Sequence, residues 1–129
     1  MKSNRLLIAS FVSAMVLIFL YQASPAFWGV RWFDSLMHFI GGFTVAFIGL
    51  WAWFASGLFG RLVPSKKEAF VAAVVFALLA GIWWEFFEYA YGIARPIGSY
   101  PLDTFHDVLA DFLGGIVAGI VGARKKLYE

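Results

Sequence analysis

The chain alternates long apolar stretches with short clusters of charged residues. No residue from 6 to 30 is charged, and His38 is the one ionisable residue from 35 to 60. Each of these stretches exceeds the roughly 20 residues that a transmembrane helix needs. Two shorter apolar stretches follow at 69–84 and 112–123. The pattern predicts two complete membrane-spanning helices and two that need further residues at one end.

The two shorter stretches must include acidic residues to cross a bilayer. As helices they measure about 24 and 18 Å, which is less than the roughly 30 Å of the hydrocarbon core. Helix 3 must therefore continue through Glu85 and Glu88, and helix 4 must begin near Asp103. Lipid-exposed strand edges are excluded, so we predict an all-α, four-transmembrane-helix bundle that forms a single domain over 1–129. The predicted helices cover about 6–21, 35–59, 69–91 and 104–122.

Basic residues lie mainly on the side of this bundle that carries both termini. Only Arg31 and Arg95 lie on the other side. Cytoplasmic loops carry the excess of Lys and Arg, so we predict that both termini are cytoplasmic. Tyr21, Trp28, Trp32, Tyr91 and Tyr100 are expected at the outer interface. The basic residues of the first group are Lys2, Arg5, Arg61, Lys66, Lys67, Arg124, Lys125 and Lys126.

Composition agrees with a membrane location. Hydrophobic residues make up 62% of the chain and charged residues 14%, against roughly 25% charged in soluble domains. The absence of cysteine excludes disulfides and thiolate metal sites. The first helix also has the pattern of a signal peptide, but Ser24-Pro25-Ala26 is a poor cleavage site and we expect the helix to remain. The basic residues have a membrane explanation, so no nucleic-acid partner is expected.

Small residues and capping residues predict how the helices pack and begin. Gly114 and Ala118 on helix 4, with Gly41, Gly42 and Gly81 on helices 2 and 3, allow close backbone approach in lipid. Such faces serve either packing within one bundle or a homodimer, and both alternatives stay open.

Capping offers another explanation for some of the acidic residues. Ser65 and Glu68 form the pattern of a capping box. Asp34 and Asp103 directly precede predicted helices and are N-cap residue types. Arg31 is a possible partner of Asp34, and Arg95 of Glu88.

The acidic residues and histidines concentrate at the outer ends of helices 2, 3 and 4. With Arg31 and Arg95 their formal charges sum to −4 when both histidines are neutral, and protons or a bound cation would offset that excess. Ionisable residues inside a membrane are functional candidates by default. We take this set as binding-site candidates: Asp34, His38, Glu85, Glu88, Asp103, His106, Asp107 and Asp111.

Carboxylates with one or two imidazoles suit manganese, iron or zinc. We predict a divalent metal site at His38, Glu85 and Asp107, with side chains within about 6 Å of one another. Asp107 and Asp111 face the bundle on a helical wheel, because they continue into the small-residue face of helix 4. His106 lies about 100° from Asp107 on that wheel. It therefore either points to the rim of the bundle or joins the site, and both alternatives stay open.

Three segments resemble a known family. MHFIGGF at 37–43, WEFFEY at 84–89 and YPLDTFHDVLADFLG at 100–114 are similar to the YjdF-like, VanZ-related group of small bacterial membrane proteins. The resemblance implies a multi-pass protein of the bacterial inner membrane and little defined chemistry. This chain has Tyr91-Gly92 where the group pattern leads us to expect another acidic residue.

Three functions stay open from the sequence. The acidic set could bind or transport a cation, a proton or a lipid headgroup. It could instead form an intramembrane metal-dependent enzyme for a lipid-linked substrate, with metal-bound water as the nucleophile and Glu85 or Asp107 as the base. The third function is a structural or assembly subunit of the membrane.

Overall fold

The computed structural model describes residues 4–27 and 29–129, so Lys2 and Trp28 lie outside the described residues. Within those two ranges the chain forms four long helices and no β-strand. Together with their short flanking turns they give candidate membrane spans of 23, 25, 26 and 23 residues, or about 35–39 Å. The all-α, four-helix membrane fold is therefore confirmed. The helices are α1 (Arg5–Ala23), α2 (Arg31–Leu50, continued by a π-helical turn, Trp51–Ala55), α3 (Lys66–Tyr91) and α4 (Tyr100–Gly122).

Two helices begin one turn earlier than predicted. The N-cap residues of α2 and α4 are Val30 and Ser99, so the prediction that Asp34 and Asp103 cap these helices is wrong. Both aspartates lie in first turns instead. The early start of α4 is explained by Pro101, because the fixed φ of proline suits the first positions of a helix.

The start of α3 follows the predicted capping box. The Ser65 hydroxyl accepts a hydrogen bond from the Glu68 amide at 3.2 Å, and the Glu68 carboxylate accepts one from the Ser65 amide at 2.8 Å. The C-cap residue that follows α3 is Gly92, whose φ of 65° places it in the left-handed region that favours glycine.

Helix α4 packs against both α2 and α3, and α1 packs against α2. The share of residues buried inside the bundle is largest for α4 and smallest for α1. The Arg5 side chain donates a hydrogen bond to the Lys126 carbonyl at 3.3 Å. The two ends of the described chain therefore meet at one end of the bundle, as four antiparallel helices require.

Glycines bring α4 into backbone contact with its neighbours. A Cβ built on Gly42 would overlap the Asp111 backbone, and one built on Gly114 would overlap the backbone of Phe39. A Cβ on Gly81 would press on the Asp111 side chain. Ala118 is fully buried. These small-residue faces are thus covered within one chain, and the homodimer stays a prediction.

Candidate functional site

His38 lies at the centre of a group of carboxylates between α2 and α4. Its Nδ1 is 3.3 Å from Asp111 Oδ2, and its Nε2 is 3.6 Å from Asp107 Oδ2 and 4.0 Å from Asp34 Oδ1. The His38 side chain is 14% exposed, so these contacts form in a largely enclosed space. Asp107 and Asp111 are buried, whereas Asp34 is half-buried.

Helix periodicity and close packing together assemble this group. Asp34 and His38 are four residues apart on α2, and Asp107 and Asp111 are four apart on α4, so each pair shares a helix face. Gly42 lies one turn after His38 and meets the Asp111 backbone. Without that close approach the carboxylates of α4 would not reach the imidazole.

Glu85 brings α3 to the edge of the same group. Its Oε2 accepts a hydrogen bond from Thr104 Oγ1 at 2.9 Å, and its carboxyl group contacts the Asp107 carboxyl group at hydrogen-bonding range and interacts electrostatically with His38. Thr104 was not predicted as a site residue. Two features of the sequence indicate such a role. Thr104 neighbours Asp103 at the start of α4, and threonine hydroxyls in membrane helices commonly form hydrogen bonds across helices.

Several buried oxygens lack a hydrogen-bond partner. Among the described residues, Glu85 Oε1, Asp103 Oδ1 and Asp107 Oδ1 are buried and accept no hydrogen bond. Leaving such groups unsatisfied costs about 1–3 kcal/mol each, and more for charged groups. Glu88 is half-buried and interacts with Glu85 and His38. The cluster thus has more carboxylate charge than nearby positive charge, and more hydrogen-bond acceptors than donors, among the described residues.

Arg31 closes the rim above this cluster. Its Nη1 is 2.9 Å from His106 Nδ1 and 3.7 Å from Asp103 Oδ1, and its Nη2 donates to the Ile97 carbonyl at 2.5 Å. The contacts of Arg31 thus reach across to α4 and its preceding loop, whereas the sequence offered Asp34 as its partner. A guanidinium can only donate, so His106 accepts through Nδ1 and carries its proton on Nε2. The structure places His106 at the rim.

The structure groups Asp34, His38 and Asp107 as possible metal ligands, since each can offer a ligand atom within 4.8 Å of the other two. The metal site predicted from sequence had Glu85 in place of Asp34. Asp34 joins the set because it lies inside α2, one turn before His38, and Glu85 lies beside it. Metal-binding histidines commonly donate their other ring N–H to a carboxylate, and Asp111 stands at that position.

Comparison with known proteins gives one match. The sequence fits the model of a family described as a predicted membrane protein (DUF2238) over residues 4–127. No curated protein and no solved structure matches the chain. The family description agrees with the four apolar helices and gives no reaction.

Proposed function

The chain belongs to the DUF2238 family of predicted membrane proteins, and from the geometry of the site we propose that it binds a divalent cation inside the membrane, between α2 and α4. One observation carries the proposal. His38 Nδ1 is engaged by Asp111, while Nε2 faces Asp34 and Asp107. Two carboxylates therefore converge on one ring nitrogen, and the three groups together offer a set of ligand atoms.

The electrostatics of the cluster support a cation. Asp107 is buried and its Oδ1 has no partner among the described residues. Bringing several carboxylates together in a low-dielectric region is unfavourable unless a positive charge or protons compensate them. A divalent ion would satisfy the free oxygens and offset the charge together, and one imidazole with carboxylates suits manganese, iron or zinc.

The proposal places this site in the outer half of a bacterial inner membrane. The resemblance to the YjdF-like group, which agrees with the matched family, supports the bacterial inner membrane. The basic residues lie at the end of the bundle that carries the described termini, and this supports the orientation. A relation to VanZ proteins remains part of this proposal. Reporter fusions after Glu129 and near Ser99 should report opposite sides of the membrane, with Glu129 cytoplasmic. A periplasmic Glu129 would reverse the orientation.

A metal-dependent enzyme is the second candidate, and Glu85 favours it. Its Oε2 is held by Thr104, whereas its Oε1 is buried and receives no hydrogen bond from a donor among the described residues. A carboxylate oriented in this way beside a metal could accept a proton from bound water. The substrate would be a lipid or a lipid-linked molecule that reaches the site from the outer leaflet.

Metal binding to the purified chain tests the proposal. We expect about one Mn²⁺ or Zn²⁺ per chain after chelation and reloading, measured by elemental analysis and by isothermal titration. His38→Gln and Asp107→Asn should abolish binding while the protein stays folded. Asp111→Asn should weaken binding about 10–100-fold, as expected for a carboxylate that orients a ligating histidine.

The matched control is Glu88→Gln. It removes a carboxylate at the same end of the bundle, but Glu88 is not one of the proposed ligands Asp34, His38 and Asp107. It should retain stoichiometric binding. If wild-type protein binds no divalent ion, the cluster shares protons or only ties helices together, and the proposal is wrong. If Glu88→Gln abolishes binding as strongly as Asp107→Asn, the ion is held by diffuse negative charge and the proposed ligand set fails.

A further inference from the structure

A second charged feature lies at the opposite end of the bundle, where α3 begins and α4 ends. An open cleft of about 630 Å³ separates these two helix ends. All the ionisable residues that line it, within the described part of the chain, are basic. They are Lys66, Lys67, Arg124 and Lys125.

The lining of the cleft is layered. Phe70 lies one helical turn below Lys66, and Ile120 lies one turn below Arg124. Both apolar side chains are exposed. Gly119 is buried, and a Cβ there would meet the ring and backbone of Phe70, so α3 and α4 pack closely at the base of the cleft. Positive charge therefore lies at the membrane surface, and an apolar floor lies directly beneath it.

Four like charges around one cleft repel each other, and an anion between them would relieve that repulsion. The nearby carboxylate of Glu68 is engaged by the Ser65 amide in the capping box and does not line the cleft. Basic pockets between transmembrane helices bind anionic lipid headgroups. We propose that this cleft binds an anionic phospholipid of the adjacent leaflet, with its phosphate among the basic side chains and an acyl chain against Phe70 and Ile120.

The test uses the full chain in neutral detergent micelles, with bound lipid counted by native mass spectrometry. Phosphatidylglycerol should bind saturably, and phosphatidylcholine should bind much more weakly. The double variant Lys67→Gln, Arg124→Gln should lower the affinity for phosphatidylglycerol about 25-fold, since each basic residue near an anionic lipid contributes roughly fivefold. Lys66→Gln with Lys125→Gln should have a similar effect, so the test does not depend on one variant folding.

The control double variant, Arg61→Gln with Lys126→Gln, removes two charges from the same end without changing the cleft lining. It should alter the affinity less than about threefold, because these two exposed side chains do not line the cleft and exposed charges are screened by salt. Equal weakening by control and cleft variants would overturn the proposal in favour of general surface charge. Equal binding of phosphatidylcholine would also overturn it. Competition by soluble glycerol phosphate at the same concentration as the lipid would show that the cleft takes free phosphate and not a membrane lipid.

Discussion

Gly42 is the residue on which the contact between α2 and α4 most depends. A Cβ built at this position lies 2.7 Å from Asp111 Cα, whereas ordinary contact begins at 3.4 Å. The obstacle is backbone and cannot rotate away, and the Asp111 carbonyl oxygen lies closer still, so Gly42→Ala must shift α2 from α4 by at least about 0.7 Å, the difference between those two distances. Overpacking of this kind costs about 1–3 kcal/mol. The gain in helix propensity from Gly to Ala, up to about 1 kcal/mol, offsets part of it.

The adjacent glycine provides a matched control. A Cβ on Gly41 would lie 3.9 Å from Asp111 Oδ1, which is an ordinary contact. Gly41→Ala should therefore be neutral or slightly stabilising, while Gly42→Ala should lower the free energy of unfolding by about 1–2 kcal/mol. Unfolding in mixed micelles with increasing dodecyl sulfate measures both. Gly42→Ala should also weaken the cation affinity, because Asp111 and Asp107 move from His38.

Equal stability of the two variants would refute this reasoning. It would mean that α2 and α4 do not approach as closely as the backbone contact at Asp111 requires. A loss of stability without any change in cation affinity would separate the packing from the site and contradict the idea that this contact positions the carboxylates.

Three further predictions follow from particular contacts. Ser65→Ala removes the capping box of α3 and should cost about 1 kcal/mol in the same unfolding assay, whereas Ser99→Ala, at an N-cap without a side-chain capping bond to the described backbone, should be near neutral. Arg31→Gln removes the donor to the Ile97 carbonyl and should speed hydrogen exchange in the loop before α4, whereas Arg61→Gln should not; unchanged exchange in Arg31→Gln would contradict the rim contact. Burial raises the pKa of Tyr128 from 10.0 to about 12, so its contribution to stability is complete below pH 10 and is lost as the pH rises towards 12. Tyr128→Phe should lack that alkaline loss, seen in unfolding curves at successive pH values, and an identical loss in wild type and variant would refute the assignment.

The helices could be predicted from the sequence because apolar length and charge spacing are local properties. The predicted starts of α2 and α4 are one turn late because Asp34 and Asp103 mark the polar edges of the apolar stretches, whereas the polar first turn of each helix extends beyond them. The four-residue spacing of Asp34 and His38 predicts that both lie on one face of the helix, but it does not predict which carboxylates of α4 this face meets. Once α2 begins at Arg31, the four-residue spacing of the pair puts both side chains beside α4.

The contacts between helices could not be predicted in detail. Arg31 contacts Asp103 and His106, which are more than seventy positions away along the chain, and sequence spacing offered the nearer Asp34. Such contacts depend on the axial register of α2 against α4, which Gly42 and Gly114 fix by allowing the two backbones to approach closely. The sequence shows that these residues are small, but it does not show which atom each one meets.

The most direct test of the central claim is pulsed electron paramagnetic resonance of the Mn²⁺-loaded protein, which detects nitrogen bound to the metal. The chain has two histidines, so the assignment needs two variants. The account predicts coupling to one imidazole nitrogen that disappears in His38→Gln and persists in His106→Gln, because His38 Nε2 faces Asp34 and Asp107 while His106 Nδ1 contacts Arg31. Absence of nitrogen coupling in the wild-type protein, or its loss in His106→Gln alone, would contradict it.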